Sequence, residues 1–122
     1  MKICVLYGGC SSERLISILS AKSILKTLSD KYNVYGYDFN GNYDELYRNV
    51  KSSDLVFNAL HGGDGENGII QKFLESKKIN FTGSGSSASE KAMDKHTTKK
   101  ICFKNKILTP DWLYSVGKIK DS

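Results

Sequence analysis

The strongest constraint on the fold is a unit that occurs three times in 122 residues: a short apolar run followed by a glycine-rich, polar loop. The loops are Gly8-Gly9-Cys10-Ser11-Ser12-Glu13-Arg14, His61-Gly62-Gly63-Asp64-Gly65-Glu66-Asn67-Gly68 and Thr82-Gly83-Ser84-Gly85-Ser86-Ser87. The runs before them, Ile3 to Tyr7, Leu55 to Leu60 and Ile79 to Phe81, read as short buried strands, and a helical pattern follows each loop. Parallel strands of this kind bring their carboxyl ends to one edge of a sheet, where open α/β folds bind ligands. The three loops are therefore expected to build one site.

Leu15, Ile18, Leu19, Ala21, Ile24, Leu25 and Leu28 recur at three-to-four spacing, which predicts one amphipathic helix over about 12–30 with its apolar stripe on the sheet. Tyr32 to Asp38 alternates as a strand does, and Asn40-Gly41-Asn42 is a turn into a short helix near 43–50. Ile69, Ile70, Phe73 and Leu74 mark another helix. The expectation is an α/β, Rossmann-like three-layer domain with a four-stranded parallel sheet, its strands near 2–7, 32–38, 54–60 and 79–82. From Ser86 to Lys106 the composition stays helical, with Asp94 as a cap between two segments, until Thr109-Pro110-Asp111-Trp112 breaks it. Asp111 to Val116 reads as the opening of a further strand, and Leu113 to Ser122 is expected to be lightly packed or poorly ordered.

The length fits one small domain. No segment approaches the roughly 18 apolar residues of a membrane span, and Met1-Lys2 leads straight into the first strand without a signal region. The expected location is cytoplasmic, with no membrane partner. Cys4, Cys10 and Cys102 lack any Cys-x-x-Cys spacing, so reduced thiols are expected rather than a disulfide framework or a zinc site, and no metal ligand set is read. The net charge of +5 and the run Lys91, Lys95, Lys99, Lys100, Lys104 and Lys106 raise the question of nucleic acid. The helical spacing of Lys95, Lys99 and Lys106 beside Ile101 and Phe103 is explained by a solvated face, with phosphate contact by one or two of the lysines as the sharper alternative. Nucleic acid is not expected as a partner.

Two loops match dinucleotide fingerprints in form: Gly63-x-Gly65-x-x-Gly68 and Gly83-x-Gly85-x-x-Ala88. In the former, Asp64 and Glu66 would stand beside a pyrophosphate, and like charges about 5 Å apart repel by roughly 3 kcal/mol at an effective dielectric near 20. The latter carries no acid and offers Ser84, Ser86, Ser87 and Ser89 near a helix start, which leaves anion binding open beside the plainer reading of a tight turn. Glu13 opens the first helix, where the dipole stabilises a carboxylate by roughly 0.3 to 1 kcal/mol. Its functional alternative is counter-ion to a substrate ammonium. His61, at a strand end, either bonds the same ligand or satisfies a loop carbonyl.

Taken together, the stretch Val5 to Ser17, the stretch Ala59 to Gly68, Phe81-Thr82-Gly83-Ser84-Gly85 and Met93-Asp94-Lys95 resemble the D-alanine–D-alanine ligase family over nearly the whole chain. The resemblance implies an N-terminal pre-ATP-grasp substrate domain over 1–93 and the start of the central ATP-grasp region over 94–122. It implies ATP-dependent joining of two D-alanines through an acyl phosphate, with Mg2+, for peptidoglycan synthesis, and a homodimeric enzyme. It makes Glu13 the carboxylate that binds the first D-alanine's ammonium, puts Ile16, Ser17 and His61 near that substrate, and likens Lys95 to a lysine that contacts ATP. Cys10 replaces a common threonine and Leu15 a frequent polar residue. The ATP-grasp clamp and magnesium ligands are expected beyond Ser122, so this chain alone is expected to be inactive and to hold no cofactor. The competing class is a stand-alone Rossmann-like module that binds a nucleotide through Gly83 to Ala88.

Overall fold

The computed structural model describes residues 1–114. The elements run β1 (Lys2–Gly8), α1 (Arg14–Leu28), β2 (Asn33–Phe39), α2 (Tyr43–Val50), β3 (Leu55–Asn58), α3 (Ile69–Ser76), α4 (Ser86–Met93) and α5 (Lys95–Lys104), with one 3-10 turn at Gly63–Gly65. The sheet is parallel and ordered β2-β1-β3, so β1 lies in the middle. A central parallel strand is covered on both faces, which is why Cys4, Val5 and Leu6 are consecutive apolar residues and all fully buried.

Alternation along β1 divides the core. Cys4 and Leu6 pack with Phe39, Leu46, Val50, Val56, Leu60, Ile70 and Leu74, the face covered by α2 and α3. Val5 packs with Ala21 and Ala59, joined by Tyr7, Ile24, Leu25 and Phe57, the face covered by α1. Three layers follow directly from this period of two.

The sheet has three strands among the described residues, where four were expected. The segment Ile79 to Thr82 does lie parallel to β3, but only as a single bridge between Val56 and Phe81. Two hydrogen bonds hold it, Val56 N–H to Asn80 O at 2.8 Å and Thr82 N–H to Val56 O at 3.0 Å. Left-handed backbone at Lys78 (φ 55°) and Gly83 (φ 96°) turns the chain away on both sides, so the ladder cannot lengthen.

The stripe of α1 also differs from its spacing. The helix rests on small residues, Ser17 and Ala21, which are buried, while Leu15 (73% exposed) and Leu19 (60%) face outward with Ile16. Small side chains let the helix axis come close to the sheet, and the larger side chains beside them are then displaced to the flanks.

After α5 the chain folds back on that helix. Lys99 Nζ donates to Thr109 Oγ1 at 2.6 Å and to Pro110 O at 2.7 Å, and Trp112 Nε1 donates to His96 Nδ1 at 3.0 Å. Asp111 to Tyr114 form no strand, and the rest of the strand expected there lies outside the described residues, as does most of Leu113 to Ser122. Leu113 itself is fully exposed, and Tyr114 stacks on His96 at 3.8 Å. No helix of the described residues is long and apolar enough to cross a membrane.

Candidate functional site

The carboxyl ends of β1 and β3 lie side by side, and one buried hydroxyl joins them. Ser17 Oγ accepts from the Gly8 N–H at 2.9 Å and donates to Ala59 O at 2.7 Å, with Ser17 wholly buried. Both hydrogen-bonding roles of the hydroxyl are thereby occupied. Ser17, expected near a substrate, lies beneath the site and ties its two strands together.

Gly8 itself has φ 88°, and a Cβ there would overlap the Asp38 carboxylate. That space belongs to a two-pronged ion pair, Arg14 Nη1 to Asp38 Oδ1 at 2.7 Å and Nη2 to Oδ2 at 2.6 Å. Arg14, which directly follows Glu13, thus anchors the first turn of α1 to the end of β2. It leaves the Glu13 carboxylate without competition from its neighbouring cation.

Glu13 is the N-cap residue of α1, yet its side chain makes no cap hydrogen bond, and the Glu13 N–H is taken by Ser11 Oγ at 3.1 Å. Among the described residues no hydrogen bond or ion pair engages the Glu13 carboxylate. Oε2 stands against the α-carbon of Gly62, whose φ of 70° and lack of a side chain give it room. Ser11 Oγ also donates to His61 O at 2.6 Å, clipping the first glycine loop to the second. Glu13 thus stands against Gly62, the residue that follows His61 in the second loop.

Below these loops a cleft of about 180 Å³ is lined by Gly9, Ser11, Leu60, His61, Gly62 and Asp64 among others. The Tyr43 hydroxyl donates to Asp64 Oδ2 at 3.1 Å, and burial followed by that carboxylate pushes the phenol up to about 12. A second hollow of about 370 Å³ joins the second loop to the third, with Gly65 and Glu66 opposite Thr82, Gly83 and Ser84. Gly65 O accepts from both Asn58 Nδ2 at 3.0 Å and Gln71 Nε2 at 2.9 Å, which fixes the shape of the middle loop. All three glycine loops therefore meet at one edge of the sheet through the middle one.

The third loop is not open to an anion in the way its serines implied. The start of α4 already holds Glu75: Ser86 N–H donates to Oε1 at 2.8 Å and Ser86 Oγ to Oε2 at 2.6 Å. Those two bonds keep the Glu75 carboxyl below its usual range.

Ile16 (54% exposed) lies on the outer side of α1, away from the Ser17 hydroxyl. Lys95 opens α5 behind Asp94, whose side chain accepts from His96 N–H at 3.1 Å, and Lys95 is exposed. Met93, two residues earlier, lines the second hollow. Neither cleft is lined by Lys95. Among the described residues no group of three or more His, Cys, Asp or Glu side chains converges as a metal ion would need. The three cysteines are free: Cys4 buried, its thiol pushed up to about 11 by burial, Cys10 exposed and Cys102 half-buried.

The Arg14–Asp38 pair and the clasp of Gly65 escaped sequence reading, since nothing local links residues 24 positions apart. Ser20 also escaped it, although Glu13, Ser17 and Ser20 recur at helical spacing along one side of α1. A polar row within an otherwise apolar stripe is the signal that marks them.

Residues 42–84 match the family model for the D-ala D-ala ligase N-terminus. A D-alanine–D-alanine ligase of Pelagibacter ubique (strain HTCC1062) is 49% identical over 115 residues, 92% of this chain and 37% of the relative. The crystal structure of the Bacillus anthracis D-alanine–D-alanine ligase is similar with a TM-score of 0.84 at 38% identity, over 93% of this chain and 38% of that one. The same enzyme complexed with ATP gives a TM-score of 0.85, over 93% of this chain and 37% of that one. Sheet, loops and matches together define a parallel α/β domain of the kind that begins a carboxylate–amine ligase. The chain spans little more than a third of the length of these relatives. Its likeness is to the N-terminal part of those ligases.

Proposed function

We propose that this chain supplies the first-substrate site of an ATP-dependent ligase that joins two D-alanines for peptidoglycan. The observation that carries the reading is the Glu13 carboxylate, which stands over Gly62 beside His61 with no partner of its own among the described residues. A carboxylate held at a helix start by its neighbours, but not neutralised by them, is a receptor for an ammonium. His61, half-buried at the end of β3, offers a ring nitrogen to the same ligand.

In the reaction so proposed, the first D-alanine's carboxylate oxygen takes the terminal phosphoryl group of ATP, with ADP leaving. The second D-alanine's amine then attacks the acyl carbon, phosphate departs and the amine loses a proton. Glu13 contributes by binding and orienting: an ammonium fixed at the Glu13 carboxylate restricts the position of the substrate carboxylate carried on the same α-carbon. Ile16 and Ser17 support that subsite, Ser17 through the strands it joins. Lys95 is the proposed ATP contact. The domain division proposed is 1–93 for the substrate domain and 94–122 for the start of the ATP-grasp region, with Asp94 ending α4 and capping α5 at the junction. Mg2+, a homodimeric whole enzyme and a cytoplasmic location belong to the same reading and rest on the family resemblance.

Glu75 bears on the competing module. A nucleotide phosphate at the start of α4 would have to displace a carboxylate already bound by Ser86.

Glu13→Gln in the whole enzyme is the test. A charge-assisted contact contributes about 1.5 to 3 kcal/mol, so the KM for the first D-alanine should rise roughly ten- to a hundred-fold. The KM for ATP should move far less. Equal changes in both constants, or no change in either, overturn the reading.

A further inference from the structure

His61 is held twice. Its carbonyl accepts from Ser11 Oγ at 2.6 Å, and its ring Nε2 lies 3.0 Å from Ser20 Oγ, one turn beyond the buried Ser17 on α1. Among the described residues Ser20 makes no other side-chain hydrogen bond, in contrast to Thr27 and Ser29, whose hydroxyls turn back to helix carbonyls at 2.9 Å. A helical serine ordinarily makes that local bond. Here the hydroxyl reaches across to the ring instead, and both groups are half-buried.

We infer that Ser20 is a positioning residue for His61, which holds the ring by Nε2 so that Nδ1 is the nitrogen presented to a ligand at the loop cluster. An imidazole has two unlike nitrogens, and the one engaged by the protein decides what the other offers. No described group bonds to His61 Nδ1, nor is it an orphan sealed within the core. A flip of the ring that exchanged its edges would break this bond. That the ligand is the first D-alanine rests on the function proposed above; the pinning of the ring does not.

The experiment reads the ring directly. Long-range nitrogen–proton spectra of this chain, labelled on histidine, resolve Nδ1 and Nε2 of His61 separately. Ser20→Ala, with an unchanged backbone spectrum elsewhere as proof of folding, should displace the His61 ring-nitrogen resonances from their parent positions. Ser20→Thr, which keeps the hydroxyl, should restore them. A Ser20→Ala spectrum identical to the parent's overturns the inference. Should Ser20→Ala fail to fold, Ser20→Thr decides it: displaced resonances with the hydroxyl still present count against Ser20.

In the whole enzyme, losing one hydrogen bond that orients the ring should raise the KM for the first D-alanine by about two- to tenfold, with the KM for ATP unchanged. The two failures are separable. The ring spectra involve no substrate, so they stand if Glu13→Gln leaves D-alanine binding intact, and they fall alone if only Ser20 is silent.

Discussion

Ser17 shows how a residue can look like a ligand contact in sequence and be a strut in the fold. Its position four residues after Glu13, in a serine-rich helix start, gives no sign of whether the hydroxyl meets substrate or backbone. Burial decides it: the hydroxyl is the partner of a Gly8 N–H and an Ala59 carbonyl, both at strand ends where the regular ladder stops. Ser17→Ala strands both groups, and a buried group left without its bond costs about 1 to 3 kcal/mol. Stability should therefore fall by about 2 to 4 kcal/mol, read as a lower urea midpoint at constant slope. A loss below about 0.5 kcal/mol would mean that water replaces the hydroxyl. For Glu13 and His61, residue type and place left two uses open, a helix-dipole role or an ammonium contact for the first and a loop-carbonyl bond or a ligand contact for the second.

At the scale of elements, the sequence read well wherever periodicity and caps agree. Tyr43–Val50 forms as expected because Asn42 accepts from both Asp44 and Glu45 N–H groups and the acidic first turn suits the dipole. Asp94 separates α4 from α5 as its residue type implied. The fourth strand was overcounted because an apolar triplet carries no information on the left-handed residues that bound it. The seat of α4 was also invisible, since it depends on Glu75 reaching from the end of α3 to Ser86. That contact makes a prediction about acid. The folded-state pKa of Glu75 is below its ordinary 4.5, so its contribution is fully present above that value and is lost as pH falls through the lower folded one. Urea midpoints measured from pH 7 down to pH 3 should drop more steeply for the parent than for Glu75→Gln. Parallel curves would show that Ser86 gains nothing from the charge. Asp94, whose carboxyl is likewise lowered by Thr97, titrates in both proteins and cancels from the comparison.

For the whole molecule the question is what the basic C-terminal helix is for, and the lysines of α5 are not equivalent. Lys99 is half-buried, and its ammonium is held by Thr109 and Pro110, which clasp the following segment onto the helix. Lys104 closes the helix, where a cation favours the dipole. Lys95 sits at the opposite end, the first residue after the Asp94 cap, where a cation is disfavoured by the dipole and finds no described acid partner. A lysine placed against the dipole without a protein partner gains from an anion supplied from outside. If that anion is the phosphate chain of ATP, Lys95→Ala in the whole enzyme should raise the KM for ATP several-fold, in keeping with about 1 kcal/mol for one partly solvated charge contact. Lys104→Ala should leave it near the parent's. Lys99→Ala should also leave it near the parent's while lowering stability, because its lost contacts are internal; Trp112 fluorescence, sensitive to the clasp beside His96, is the readout for that part. Three equal losses of ATP affinity, each weakening with added salt, would instead assign the effect to the summed positive field of the helix and remove the specific role from Lys95.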